Sequence, residues 1–455
     1  MKKEVTIIGA GLVGSLLSIY LSKRGYQVAI YERRPDMRRE EIIAGRSINL
    51  ALSDRGIKAL EEVGIMDSIR AISIPMNGRQ MHLADGNSAY QAYGREGQFI
   101  NSVSRGELNR KLMDLAETNG VKIYFNQKCE HIDWKQKTII FNALLPDGSG
   151  KKQQIHFERL LGSDGAYSAA RLNHQLQHDR FQYQQYYIDF GYKELLIPPG
   201  KDGDFVMDKN ALHIWPRGNY MLIALPNMDK SFTCTLFFPF EGNPSFASLD
   251  SAEKATEFFR ETFPDALELM PGFAHDFMHN PTSSLITVKC FPWIRGDYFS
   301  LIGDAAHGIV PFFGQGMNAG FEDCSVLNKL LDDNEDDWRR TLDAFQELRK
   351  PDADAIADLA LNNFIEMRDK VADPTFLLQK KIESRFSAKY PDKWTPAYSM
   401  VTFSPEIRYS EALKKGTFQQ QIMDEVMRTI SIESKWDSEE VEETILSKLK
   451  QRTNV

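Results

Sequence analysis

The chain has 455 residues, 42% hydrophobic and 26% charged, a globular composition long enough for two or three domains. Its formal net charge of −8 leaves no basic excess to neutralise a phosphate backbone, which excludes nucleic acid as a partner. Cys129, Cys234, Cys290 and Cys324 are scattered with no CxxC pair, which argues against a disulfide framework or zinc ribbon and for a reducing compartment.

The N-terminal apolar stretch is interrupted by glycines and lacks a small-residue cleavage site, so it is not read as a signal peptide. No run of about 18 apolar residues occurs, so no membrane anchor is expected and the predicted location is the cytoplasm. Val5-Thr6-Ile7-Ile8 reads as a strand, Leu12 to Lys23 as a helix ending at Gly25, and Gln27 to Tyr31 as a second strand. Ser104-Arg105-Gly106-Glu107 is a capping box opening a helix that continues from Leu108 to Glu117. Leu212 to Pro216, Tyr220 to Leu225 and Phe232 to Phe238, separated by turn residues, predict an antiparallel meander. A buried strand returns near Tyr298 to Ile302. Beyond Asn334 the pattern is helical, and the charged stretch from Glu411 predicts a solvated helical tail.

Gly9-Ala10-Gly11-Leu12-Val13-Gly14 fits GxGxxG between the first strand and its helix. Gly9 allows the tight turn, Gly11 lets the backbone approach a pyrophosphate, and Gly14 lets helix pack on strand. Glu32 closes the second strand roughly 20 residues on, where an acid holds a ribose 2′-hydroxyl and disfavours a 2′-phosphate. FAD or NAD therefore suits this loop better than NADP, with a plain glycine turn as the alternative. Far downstream, Tyr298 to Gly303 leads onto Asp304, and Gly314-Gln315-Gly316 opens a helix from Met317 to Leu331. A carboxylate at a strand end can accept from sugar-like hydroxyls, and a helix N-terminus favours the negative edge of a reduced flavin. The alternative for Asp304 is a cap. The pairs His174/His178 and His275/His279 have i, i+4 spacing but no HExxH and no third ligand, so each reads as one face of a helix and no metal is expected. His307 near Asp304 reads as loop architecture.

Together with Gly162-Ser163-Asp164-Gly165-Ala166-Tyr167-Ser168-Ala169-Ala170-Arg171, these motifs make the sequence resemble the class A flavoprotein aromatic monooxygenases. The resemblance narrows to the branch that hydroxylates kynurenine. It is carried by Gly45 to Ser53, Leu212 to Arg217, Ser231 to Phe237, Pro311 to Asp323, Ile365 to Arg368 and Tyr398 to Ser404, and covers roughly residues 4 to 410. It implies an α/β fold: a Rossmann-like FAD-binding domain (1–72, 100–180 and 286–345), an antiparallel β-sheet substrate domain (73–99 and 181–285) and a C-terminal helical region (346–455). It implies FAD as cofactor, NADPH as co-substrate, and transfer of oxygen from O2 to L-kynurenine through a flavin C4a-hydroperoxide, in a monomer or homodimer. The family's eukaryotic members carry a C-terminal hydrophobic anchor; the charged tail here departs from them.

The same resemblance implies the site. Gly9, Gly11, Val13, Gly14, Glu32, Ala51, Arg105, Asp164, Asp304, Met317 and Asn318 would hold FAD; Arg105, a cation opposing its own helix dipole, already hints at a ligand. Arg79 would bind the substrate carboxylate with Tyr93, Tyr398 and Asn363, while Phe237, Phe312 and Met367 form apolar walls. Read on their own, these seven substrate positions would pass for surface or core residues. An amine ortho to the hydroxylated carbon already donates electron density, so no side-chain base is expected. A class A hydroxylase of another aromatic acid and a non-catalytic flavin redox sensor stay open as alternatives. A flavin-dependent halogenase lacks its Trp-x-Trp-x-Ile-Pro element here.

Overall fold

The computed structural model describes residues 3–39, 48–95, 97–144, 150–369, 373–429 and 431–452. Gly45 to Ser47 of the family-like segments lie outside them. The chain opens with β1 (Glu4–Ile8), α1 (Leu12–Lys23) and β2 (Gln27–Tyr31), as their periodicity predicts. β1 sits inside a six-stranded sheet, flanked by β2 and by Leu160–Gly162; Phe299–Leu301 follows outside the latter and Lys122–Tyr124 outside β2. These five strands are parallel, with Ile294–Arg295 antiparallel at the edge. Parallel strands covered on both faces need continuous apolar runs, which Val5, Ile7, Ile8, Leu160, Leu161, Phe299 and Leu301 provide.

From β1 the chain crosses to β2 on one side, while the strands from far downstream join on the other. That reversal of strand order creates a crevice at the carboxyl end of β1. Register aligns Ile8 with Gly162 and Gly162 with Leu301, so the loops after all three strands emerge side by side.

The predicted meander forms the centre of a seven-stranded sheet, in the order Ser283–Phe291, Gln182–Ile197, Phe232–Pro239, Tyr220–Pro226, Ala211–Arg217, Gly78–His82 and Ser88–Ala92. All its pairs are antiparallel except Gly78–His82 on Ala211–Arg217. The parallel pair arises because Gly78–His82 arrives from the other side of the chain fold rather than through a hairpin. One face packs Leu195, Trp215, Leu222 and Phe238 under three short helices bearing Phe259, Phe263, Phe273 and Phe277. The opposite face turns Tyr192, Ile214, Ile223, Thr235 and Phe237 toward a cavity.

The C-terminal region is helical, as expected, but the stretch after Glu411 is not a solvated tail. Ile422, Met423, Val426, Val441 and Ile445 are buried with Ile382, Phe386 and Trp394 in a core of their own. The spacing of those apolar residues makes a helix stripe, which the surrounding charge obscures in the sequence. Among the described residues no helix is long and apolar enough to cross a membrane.

Candidate active site

A single cavity of about 840 Å3 runs from the glycine loop after β1 to the inner face of the seven-stranded sheet. Gly9, Gly11, Val13, Glu32, Ala51, Arg105, Asp164, Asp304 and Met317 line it, and so do Arg79, Tyr93, Phe237, Phe312, Asn363 and Tyr398. Gly14 and Asn318 stand behind the wall. The side chain of Met367 lies outside the described residues.

The glycine loop has the geometry its spacing predicts. Gly9 has φ +102, where an L side chain is strained. A Cβ on Gly14 would fall 2.1 Å from the Gly9 carbonyl oxygen and 2.5 Å from Ser163 Oγ, so this glycine is what lets α1 close on the sheet. A Cβ on Gly11 would meet nothing within 4 Å, which leaves its backbone open to the cavity. No side chain caps α1, so its first N–H groups and positive dipole end face the same space. Glu32 straps the loop: Ala10 N–H donates to Oε2 and Arg34 N–H to Oε1, both at 2.9 Å. Each oxygen keeps a lone pair for a further donor.

The second motif meets this loop from the neighbouring strands. A Cβ on Gly303 would come within 3.1 Å of Val13. Asp304 starts a short helix at the cavity wall, where burial raises its carboxyl against the pull of His307 and Arg105. The helix Gly316–Asp333 also begins uncapped, with Gly316 and Met317 on the cavity. Asn318 has its side chain fully engaged: Ser53 N–H donates to Oδ1 at 3.0 Å, and Nδ2 donates to the carbonyls of Ala51 and Gly314 at 2.8 Å. It thus ties the Ala51 strand to the glycine turn. Asp164 is likewise occupied, accepting from Ser168 Oγ at 2.5 Å and from the N–H groups of Ala169 and Ala170 at 2.7 and 3.1 Å. It caps a helix, although it also reaches the wall, and burial raises its carboxyl against those donors.

His307 does not pair with Asp304. Its Nε2 lies 2.6 Å from Asp323 Oδ2, and Asp323 also accepts from Gly303 N–H at 2.9 Å and from Arg349 Nε at 2.7 Å. Burial would raise Asp323, but His307 and Arg349 outweigh it and hold the carboxyl down at about 2. This buried acid was not singled out in the sequence. The available signal was Glu322-Asp323 inside an apolar helical stretch, since buried acids need partners. His174 is packed against Trp134, Phe181 and Phe299, where burial pushes it down to about 3. His178 falls past the end of that helix. No group of three potential metal ligands occurs among the described residues.

At the far end of the cavity the Arg79 guanidinium lies against two phenol rings, 5.2 Å from the Tyr93 centroid and 4.6 Å from that of Tyr398. Those rings are nearly parallel, 5.8 Å apart. No carboxylate pairs with Arg79 among the described residues, and the buried Tyr93 hydroxyl reaches no hydrogen-bond partner in good geometry there. Asn363 Nδ2 donates to the Phe312 carbonyl at 2.6 Å, and the Phe312 ring packs 5.0 Å from Phe237. Arg105 lies at the start of its helix, with Ser104 as cap. Near it, Glu194 is buried with one carboxylate oxygen unpartnered among the described residues, and burial pushes it up to about 7 against Arg105 and the Ile48 amide. Nothing local marks Glu194 in the sequence.

The cavity thus joins two anion-ready helix ends and a ribose-type acid to an enclosed cation that has no counter-ion among the described residues. Comparison with known proteins agrees with that combination. The family model "FAD binding domain" matches residues 2–360. The kynurenine 3-monooxygenase of Christiangramia forsetii is 51% identical over 453 residues, covering 99% of each chain. That of Flavobacterium johnsoniae is 51% identical over 447 residues, covering 98% of each. A solved 2-methyl-3-hydroxypyridine-5-carboxylic acid oxygenase shares the fold at TM-score 0.67, covering 89% of this chain and 97% of its own, at 18% identity. The chain belongs to the FAD-binding domain family and, within it, to the kynurenine 3-monooxygenases.

Proposed function

We propose that the protein is an FAD-dependent monooxygenase that uses NADPH and O2 to hydroxylate L-kynurenine at ring position 3. The observation that carries this reading is the continuity of one cavity from the glycine loop and Asp304 to Arg79, which lies against two tyrosine rings with no carboxylate partner among the described residues. The residues present fit FAD. Gly11 admits a pyrophosphate beside the uncapped end of α1, Glu32 can accept from a ribose hydroxyl, and the uncapped helix at Gly316 faces the same space. Val13, Ala51, Arg105, Asp304 and Met317 would border the flavin, while Gly9, Gly14 and Asn318 hold the loops that do so. Asp164 would act through the helix it caps.

When bound, FAD supplies the chemistry of accepting reducing equivalents from NADPH and activating O2. The side chains supply orientation. Arg79 takes the amino-acid carboxylate bidentately, and the Tyr93 and Tyr398 hydroxyls complete the clamp. Phe237 and Phe312 form apolar walls that align the ring and exclude water, with Met367 as a third contributor. The Asn363 carboxamide, held on Phe312, faces the substrate's polar end. Arg105 brings positive charge to the flavin side, and no side chain need remove a proton, because the ring amine activates the carbon that is oxidised.

The test is aerobic incubation of the purified yellow protein with NADPH and kynurenine. Chromatography and mass should show 3-hydroxykynurenine formed with NADPH consumed. A colourless protein that takes up no FAD, or NADPH oxidation stimulated only by phenolic acids, would overturn the reading.

A further inference from the structure

We infer that Arg55 is a positioning residue for the carboxylate clamp and acts through Tyr398. The inference rests on the reading of Arg79, Tyr93 and Tyr398 given above. Arg55 lies on the helix Asp54–Glu62, next to the cofactor end of the cavity, yet its side chain reaches away to another part of the chain. With 0% of its side chain exposed, it donates from Nε to the carbonyl of Val401 at 2.8 Å. Its Nη2 donates to the carbonyls of Met400 and Ser404, both at 3.3 Å, and to that of Ile407. Every main-chain acceptor it uses thus belongs to one short helix, Ala397–Phe403, and the turn after it. Tyr398 stands on that helix.

Seven residues are too few for a helix to persist without outside support. Its last carbonyls lack intrahelical donors, and no side chain caps its start. Arg55 supplies the missing donors and places a cation at the negative end of the helix dipole. The guanidinium is itself held, 4.0 Å from the Tyr409 ring centroid and 2.6 Å from Glu322 Oε1. Glu322 also accepts from Arg349 at 2.7 Å, and Arg349 binds Asp323, which receives the Gly303 N–H. The Tyr398 helix is therefore fastened to the helix and turn that border the cofactor end. A planar fork suits several divergent carbonyls, whereas a lysine ammonium, a point donor on a flexible stem, does not reproduce it.

The test uses FAD-loaded Arg55→Lys protein, with binding followed through the flavin absorbance. Kynurenine should bind at least about tenfold more weakly, while its decarboxylated analogue kynurenamine, which gives Arg79 and Tyr398 no carboxylate, should bind within about twofold of wild type. Flavin content should be unchanged. The double variant Arg55→Lys/Tyr398→Ala should bind kynurenine no more weakly than Tyr398→Ala alone, within about twofold, because the first change acts through the second. Equal weakening of both ligands, or additive losses in the double variant, overturns the assignment. Should Arg55→Lys not accumulate as holoenzyme, Glu322→Gln, which loosens the fork without removing it, is expected to show the same selective loss, and an unselective loss there overturns the assignment equally. Wild-type protein that binds neither ligand would instead sink the clamp itself, and the inference with it.

Discussion

Replacing Arg79 with methionine removes the charge from the far end of the cavity while keeping most of the side-chain volume beside Tyr93 and Tyr398. In the free protein the guanidinium makes two ring contacts, at 5.2 and 4.6 Å, and has no acid opposite it among the described residues. Such contacts contribute about 0.5–2 kcal/mol each, whereas an enclosed charge without a counter-ion loses hydration. The two nearly offset, so the melting temperature of Arg79→Met should stay at or above that of wild type. Binding is another matter. A carboxylate brought into this enclosure without a cation loses about 2–5 kcal/mol of affinity, or roughly 30- to 4,000-fold. The assay is titration of the FAD-loaded variant with kynurenine by flavin absorbance, alongside a thermal melt. Wild-type affinity in the variant would refute the carboxylate role. A large fall in melting temperature would refute the claim that Arg79 is kept for a ligand rather than for the fold.

Glu32→Gln replaces one of the two acceptors that strap the glycine loop and removes the charge proposed to meet the ribose; flavin occupancy after purification should fall, and undiminished occupancy would remove Glu32 from that role. In Gly14→Ala the new methyl would lie 2.1 Å from the Gly9 carbonyl, so α1 must move off the sheet. A cost of about 1–3 kcal/mol in denaturant unfolding is expected with loss of FAD, and a stable, flavin-saturated variant would refute the close packing. Glu194 is pushed up to about 7 by burial, from an ordinary value near 4.5. The folded state thus holds this proton more tightly than the unfolded chain, and its contribution to stability declines as pH rises from about 4.5 to about 7. Glu194→Gln should remove that decline from the melting profile. Identical pH slopes in variant and wild type would show that Glu194 ionises normally.

Much of the fold can be read from short windows of the sequence. The turn at Gly9, the helix from Leu12 and the acid at Glu32 are local consequences of glycine freedom, apolar spacing and strand length, and the structure has them where periodicity puts them. The capping box at Ser104 and the hairpins between Ala211 and Pro239 belong to the same class. The charged C-terminal stretch shows where composition misleads, because the Ile422 to Ile445 stripe is diluted by lysines and glutamates, most of them at the surface and one, Glu442, buried against Arg385 and Lys389. The cavity-lining residues Arg79, Tyr93 and Tyr398 carry no local signal, and only resemblance to a family drew attention to them. Asn318 and Asp164 were grouped with the cofactor contacts; their side chains are engaged in holding loops and a helix in place.

By itself the sequence determined the elements and the dinucleotide turn, because helix and strand preferences depend on neighbours within about one or two turns. Only the tertiary structure decided that Ile8, Gly162 and Leu301 share a register, and that their three loops open on one crevice. It alone decided that Arg79 lies against two tyrosines distant in sequence and that Arg55 serves the carbonyls of a helix far along the chain. The reason is physical: a buried donor or charge takes its partner from whatever the closed fold brings within hydrogen-bond distance, and chain separation plays no part in that choice.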